Sequence, residues 1–300
     1  MNFHHLHYFR EVIRHEFNMS RAAEVLYVSQ PTLSKAISEM EEFLGGDLFV
    51  RAGKKFLGLT ELGQAIFIET DCTLTCFERV KRVAEAFHYV DEGSLTLACT
   101  HTQAKYRLPS TIVAFKKKYP KVRVSILQGT PSQIAQWVLS GRADIGMASE
   151  VLSSTEGVEA LPCYEWNHLL IAPKNHILIH EVDKIELKMI AQYPLVVYDR
   201  AFAARNKIDR AFADKKLEPN IVLEAMDADI IKTYVEIGLG LGIIPEVAFD
   251  ERFDRRIEAR NVGHLFGSNR AFLAVKKNTY LYQYSHTLIE MLSGNRFNEE

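Results

Sequence analysis

The 300-residue sequence predicts an α+β multidomain protein built in three parts. Three observations carry that assignment. Two short amphipathic helices joined by a tight turn occupy residues 20–44, a proline-free helical stretch runs from Glu61 to about Val90, and strands alternate with helices from Gly93 onward. The expected division is a winged helix-turn-helix over 1–60, a linker or dimerisation helix over 61–90, and a two-lobed α/β region over 93–300. Lobe I is expected to take about 93–164 and 266–300, and lobe II about 165–265.

Leu6, Phe9, Val12 and Ile13 recur at helical spacing and mark a first, supporting helix. Ala22, Ala23 and Leu26 line a second, short helix whose small inner face lets another helix cross closely. Ser29 is a good N-cap, and Pro31 is tolerated in the following first turn because the N–H groups there lack intrahelical partners. Leu33, Ile37, Met40 and Leu44 then form the core stripe of the third helix. The opposite side of its start carries Gln30, Thr32, Ser34 and Lys35, a hydrogen-bonding row on a helix narrow enough for a major groove. Gly45-Gly46 ends that helix with residues that tolerate left-handed geometry. Leu48-Phe49-Val50 reads as a short strand, Arg51-Ala52-Gly53-Lys54-Lys55 as a basic turn, and Phe56–Leu59 as a returning strand. Two amphipathic helices alone also suit an ordinary helical core. The wing, with Arg51, Lys54 and Lys55 placed to grip phosphate, favours DNA.

Net charge is −2, and residues 1–60 hold seven Lys/Arg against seven Asp/Glu, so local asymmetry must supply the DNA face. Glu39, Glu41, Glu42 and Asp47 fall late in the third helix or after it, while the cations gather at its start and on the wing. No run of eighteen apolar residues exists, and Met1-Asn2-Phe3-His4-His5 lacks the cationic and apolar regions of a signal peptide. A cytoplasmic location is therefore expected, with Cys72, Cys76, Cys99 and Cys163 reduced. Cys72 and Cys76 share a helix face, but no second pair completes a metal site, so neither metal nor cofactor is expected.

Thr60 can accept from the first turn of the long helix, and Glu61 suits its dipole. Leu62, Ile66, Leu74, Phe77, Val80, Val83 and Phe87 follow at mixed three- and four-residue spacing. A helix of about 45 Å at 1.5 Å per residue needs a partner for that stripe. A second copy of the chain is the economical choice, and packing within its own chain is the alternative. Beyond Gly93, strands are expected at 94–99, 121–127 and 143–148, then at 168–171, 195–198, 221–224, 241–244 and 270–275. Helices lie between them and a last one spans roughly 282–292. Such alternation predicts parallel sheets with crossovers, in two lobes with a cleft.

Ligands on open α/β sheets sit beyond the carboxyl ends of the strands, where helix N-termini offer free N–H groups. Thr100, Thr102 and Gln103 stand at the first such turn, Thr130 and Ser132 at the second, and Ser149 follows the third strand at a similar height. These neutral donors suit a small polar or anionic ligand. They are equally the residues that cap helices.

Residues 1–60 resemble the LysR-type transcriptional regulators, through the small-residue helix, the Ser29-Gln30-Pro31 start, Leu48-Phe49-Val50-Arg51 and Leu59-Thr60-Glu61-Leu62-Gly63. The resemblance extends over nearly the whole chain. Within the family, Lys54–Thr60, Thr100–Tyr106, Gln128–Ala135, Leu161–Asn167 and Asp227–Val235 are similar to the CysB-like subfamily, the regulators of the cysteine regulon, and to their relative for sulfonate use. The resemblance implies a C-terminal effector-binding domain of periplasmic-binding-protein type, promoter DNA bound by a homotetramer (a dimer of dimers), and activation through RNA polymerase. It also implies an effector such as acetylserine, sulfate or thiosulfate, held at Thr100, Thr102 and Gln103 with Trp166 across the cleft. Ser149 keeps the hydroxyl of the family's threonine. Where the family has a second threonine, in an aromatic-Gly-Phe-Thr-Gly stretch, this chain reads Ala201-Phe202-Ala203-Ala204, so Ala203 lacks that hydroxyl donor. Losing one donor to a buried anion costs about 1.5–3 kcal/mol unless another group, such as Arg200 or Arg205, replaces it.

Two other classes compete with a regulator. A transported-solute receptor needs export, for which no signal is present; a cytosolic solute-binding protein without a DNA role does not. For an enzyme, Gly238-Leu239-Gly240-Leu241-Gly242 joins a helix to a strand, the wrong order for a dinucleotide fingerprint. His101 reads as a surface histidine beside a loop, and Asp227 and Asp229 as caps of the next helix. No catalytic residues are expected.

Overall fold

The computed structural model describes residues 1–53, 55–88, 91–180 and 183–294, with the side chains of 82 and 85–88 left aside. The chain forms two compact units, Met1–Ala84 and Glu85–Glu300. In the first, α1 (Phe3–Arg14), α2 (Met19–Val25) and α3 (Gln30–Leu44) precede an antiparallel hairpin of β1 (Phe49–Ala52) and β2 (Lys55–Leu59). The long helix α4 covers Glu61–His88 and, at 28 residues, is about 42 Å long.

Local chemistry fixes these boundaries. Ser29 caps α3 by accepting from the Thr32 N–H at 3.2 Å, with Pro31 in the first turn. Gly45 ends that helix at φ +74°, where a side chain would be strained. Thr60 donates to the Asp47 carbonyl at 2.6 Å and accepts from the Gly63 N–H at 2.9 Å. Phe9, Leu33, Ile37, Met40, Leu48 and Phe49 are fully buried or nearly so against Ala22 and Ala23. Burial of each large side chain contributes about 1.5–3 kcal/mol. Helix α4 joins this core through Phe67, edge-on to Phe9, and Phe77 lies against Phe3. Part of its apolar stripe thus finds a partner within its own unit, while Ile68 and Val80 remain two-thirds exposed.

The second unit runs through β3 (Gly93–Cys99), α5 (Leu108–Lys118), β4 (Val122–Gln128), α6 (Pro131–Leu139), β5 (Ile145–Ala148) and β6 (Val158–Trp166). It continues with β7 (His168–Pro173), α7 (Ile177–His180), α8 (Leu187–Ile190), β8 (Leu195–Tyr198), α9 (Ala203–Asp214), β9 (Ile221–Ala225), α10 (Ala228–Glu236) and β10 (Leu241–Pro245). The last elements are β11 (Ile257–Asn261), α11 (Gly263–Phe266), β12 (Asn269–Lys276) and α12 (Gln283–Ser293).

Two five-stranded sheets result, in the orders β4-β3-β5-β12-β6 and β11-β7-β10-β8-β9. Each defines a lobe, and neither is wholly parallel as the alternation of elements suggests. β3 pairs in parallel with β4 and β5, but β12 runs antiparallel to both β5 and β6. Likewise β8 is parallel to β9 and β10, whereas β7 is antiparallel to β10 and β11. The reason is that the chain leaves lobe I along β6, crosses at Asn167, and returns through residues 267–268 into β12. Alternation along β8 sends Leu195 and Val197 toward Ile208 and Phe212 of α9. It sends Val196 and Tyr198 toward Ala228, Ile231 and Val235 of α10.

Candidate functional site

In the first unit, α3 presents Gln30, Thr32, Ser34 and Lys35 on one exposed flank. They share the surface the sequence gives them, with some donors already engaged. Gln30 Oε1 accepts from the Ser20 hydroxyl at 3.2 Å, the Thr32 hydroxyl lies 2.8 Å from Ser29 Oγ, and the Lys35 ammonium is 3.7 Å from Glu39. On the wing, Lys55 is exposed. Lys54 lies outside the described residues. Arg51 differs from its expected role as a free phosphate grip. Its guanidinium pairs with the buried Glu41 carboxylate and lies 4.9 Å over the Phe56 ring. Glu41 also accepts from the Leu48 N–H at 2.9 Å, so Arg51 ties the wing to α3. Sequence reasoning missed Tyr27, which is 96% exposed in the turn before α3 at φ +55°. An aromatic at positive φ outside any helix stripe is a signal only once the turn geometry is known.

The second unit holds a cavity of about 60 Å³ between its lobes. Lobe I contributes Thr100, Thr102, Gln103, Ser149, Tyr164 and Trp166. Trp166 is not across the cleft from the threonines as expected but ends β6 of the same sheet, because that strand stays paired with β12 as far as Asn269. Lobe II contributes Tyr198, Phe202, Ala203 and Ala204, with Pro245 and Val247 after β10. Among the described residues no charged side chain lines it. Five of the six expected ligand-site residues therefore converge. Thr130 does not: its hydroxyl caps α6 by accepting from the Gln133 N–H at 3.3 Å, and the neighbouring Pro131 takes the wall.

A five-residue π-helical turn, Gln103–Arg107, follows Thr102 and leads into α5. Such turns are concentrated at functional sites. The Gln103 side-chain oxygen accepts from both the N–H and the hydroxyl of Thr100 at 3.2 Å. Thr102 and Tyr198 share a hydroxyl–hydroxyl bond of 2.9 Å across the cleft. Burial pushes the Tyr164 phenol up to about 12, and Tyr198 is raised for the same reason, so both stay neutral. The Ser149 hydroxyl is buried and makes no hydrogen bond among the described residues. Helix α9 begins on the cavity wall with Phe202 at its N-cap and no side-chain cap, leaving its first N–H groups without a side-chain acceptor.

The cations expected to offset Ala203 lie elsewhere. Arg205 is fully buried within lobe II, donating to Asp209, the Tyr198 carbonyl and Glu224 at 2.6–2.8 Å. Arg200 is exposed and not part of the wall. Behind Trp166 at the crossing, His168 is edge-on to both Trp166 and Phe266. Burial, with the Lys207 charge adding, holds the His168 imidazole neutral by lowering it to about 4.

His101 is not a lone surface histidine. Its ring spans Gln128 (3.2 Å) and Asp229 (2.9 Å), while Asp227 caps α10 by accepting from Ile230 at 2.9 Å. The ligand atoms of His101, Asp227 and Asp229 lie within 4.8 Å of one another, but the Lys105 ammonium already sits 2.6 Å from Asp229. A cation of the chain itself neutralises this group.

Residues 3–64 match the bacterial regulatory helix-turn-helix protein family, lysR family, and residues 90–295 match the LysR substrate binding domain. The chain belongs to the LysR family. It is a LysR-type DNA-binding transcriptional regulator, and its relatives are transcriptional regulators. The HTH-type transcriptional regulator CysB of Burkholderia cenocepacia is 48% identical over 98% of this chain and 93% of its own length. The regulator SsuR of the same organism is 41% identical over 98% and 95%. Among solved structures, the cofactor-binding domain of the Cbl transcriptional regulator is 40% identical, with a TM-score of 0.65 over 68% of this chain and 89% of that one. Among the described residues no helix is long and apolar enough to cross a membrane.

Proposed function

We propose that this LysR regulator controls genes of sulfur assimilation and cysteine biosynthesis, and that a small anionic or polar effector in the inter-lobe cavity gates it. The observation that carries the effector reading is the cavity chemistry. Hydroxyls of Thr100, Thr102 and Ser149 and the Gln103 amide gather opposite an uncapped helix start, with no carboxylate on the wall. Acetylserine, sulfate and thiosulfate all suit neutral donors of this kind. The likeness to CysB over nearly the full chain supports the target genes.

Gln30, Thr32, Ser34 and Lys35 then read base edges in the major groove, while Lys55 and Lys54 meet phosphate and Arg51 holds the wing in place against α3. The exposed Ile68 and Val80 of α4 suit a second copy, which would pair two DNA-binding units; the assembly we propose on promoter DNA is a dimer of such dimers. An effector that favours one lobe arrangement shifts how paired DNA-binding units engage the promoter, and through it RNA polymerase.

The test is binding of the purified chain to a sulfur-assimilation promoter fragment and to a sulfonate-utilisation fragment, titrated with the three ligands. A ligand-dependent change in footprint or bending on the first fragment is expected. Response on the second alone moves the assignment to sulfonate use, which the likeness to SsuR and Cbl keeps in view. Tight DNA binding indifferent to every ligand sinks the effector assignment.

A further inference from the structure

Beside the cavity, on the outer side of the same π-helical segment, the two lobes are fastened by a polar cluster. Asp229, in the first turn of α10, takes His101 Nε2 at 2.9 Å, the Lys105 ammonium at 2.6 Å and the Tyr106 hydroxyl at 2.5 Å. Lys232, one turn on, donates to the Tyr106 oxygen at 2.8 Å and pairs with Asp254 at 2.9 Å. The Tyr106 ring also packs on the apolar core of lobe II. Residues 100–107 thus alternate between two duties. Thr100, Thr102 and Gln103 face the cavity, while His101, Lys105 and Tyr106 hold the other lobe. Tyr198 closes the circuit, since its hydroxyl bonds Thr102 while its side chain packs in the same core cluster as Ala228, next to Asp229.

Resting on the effector reading above, we propose that Asp229 is a positioning residue for the effector response: by gripping His101, Lys105 and Tyr106 it latches lobe II to the segment that carries Thr102 and Gln103. Closing the latch sets the cavity donors in place, and opening it frees α10 from them. Closed, the charges of the latch compensate one another at half-buried positions; open, water replaces each lost partner of Asp229, so the two arrangements can lie close in free energy.

The latch is also sensitive to pH. His101 faces Lys105 and Tyr106 on its own segment, Gln128 from β4, and Asp227, Asp229 and Lys232 from α10, with Asp254 behind Lys232. Burial disfavours its charged form, but the Asp229 and Gln128 hydrogen bonds and the two aspartates outweigh that, so His101 is raised above its ordinary value. Its contribution is therefore full below about pH 6.5 and is lost as pH rises through the raised value.

Hydrogen exchange on the full chain, corrected for intrinsic rates, tests the latch in wild type, Asp229→Asn and His101→Gln, with Lys207→Met, whose ammonium joins α9 to Glu150 and the Ser268 carbonyl, as control for a different inter-lobe contact. Loss of Asp229's charge is expected to speed exchange about ten-fold or more in 102–107 and 228–231 together, sparing β3 and β8. Affinity for whichever of sulfate, thiosulfate and acetylserine binds wild type falls in parallel. In wild type that affinity declines as pH rises above about 6.5, and His101→Gln removes the decline. Unchanged exchange in Asp229→Asn overturns the latch whether or not ligands bind, and so does loss of protection throughout both lobes. Wild type that binds none of the three ligands, yet shows the two-segment response, supports the latch and refutes the effector reading.

Discussion

Ser149 carries the sharpest consequence at the scale of single residues. A buried hydroxyl without a hydrogen bond costs the folded protein stability, and a ligand acceptor there recovers it. Ser149→Ala should therefore act in opposite directions. Without effector the melting temperature rises slightly, while effector affinity by calorimetry falls about ten-fold, roughly 1.4 kcal/mol. A substitution that lowered both would mark the hydroxyl as structural. Ala203 gives the converse prediction. It stands at the uncapped start of α9, and neither Arg200 nor Arg205 enters the cavity in its place. Ala203→Thr should tighten sulfate binding by about ten-fold, read by the same titration, because a hydroxyl joins the N–H groups facing the anion. Equal or weaker binding would mean that the cavity prefers a ligand with an apolar part at that wall.

Elements meet their neighbours through a few backbone-close approaches, and one decides whether the DNA-binding unit forms. At Gly63 a Cβ would stand 2.0 Å from the Leu48 carbonyl oxygen. The start of α4 therefore lies directly on the strand entry that the Thr60 and Arg51 bonds also hold. Gly63→Ala should cost about 1–3 kcal/mol, measured as an earlier thermal transition, and weaken operator binding along with it. The sequence reads α1 to α4 closely because their apolar stripes, caps and terminating glycines lie within a few residues of each other. The sheets were less legible. Runs such as Ala271–Val275 are apolar throughout, and a buried strand carries no mark of its direction. Whether β12 pairs parallel or antiparallel is set by a chain crossing more than a hundred residues away in sequence.

Across the whole molecule, a net charge of −2 leaves DNA affinity to a small set of cations, and the structure divides their labour. Lys55 is exposed on the wing, while Arg51 is committed to Glu41 and Phe56. Lys55→Ala should lower the slope of log affinity against log salt by about 0.9 for each phosphate left without its cation, with melting unchanged. Arg51→Ala should lower the melting temperature as well, since it strands the Glu41 carboxylate. Finding the two variants alike in both measurements would remove the distinction.

The sequence by itself determined the winged helix-turn-helix, the long helix, the two α/β lobes, and the cavity residues Thr100, Thr102, Gln103 and Ser149, because caps, stripes and strand-to-helix turns are local. Only the tertiary structure decided what each polar group faces. Thr130 turned inward to its own helix, Arg205 to Glu224, and Arg51 to Glu41, while Tyr198 and Asp229 met partners roughly a hundred residues distant. Hydrogen bonds and ion pairs act over a few ångströms in space, and spacing along a chain does not encode which distant segment arrives within that reach.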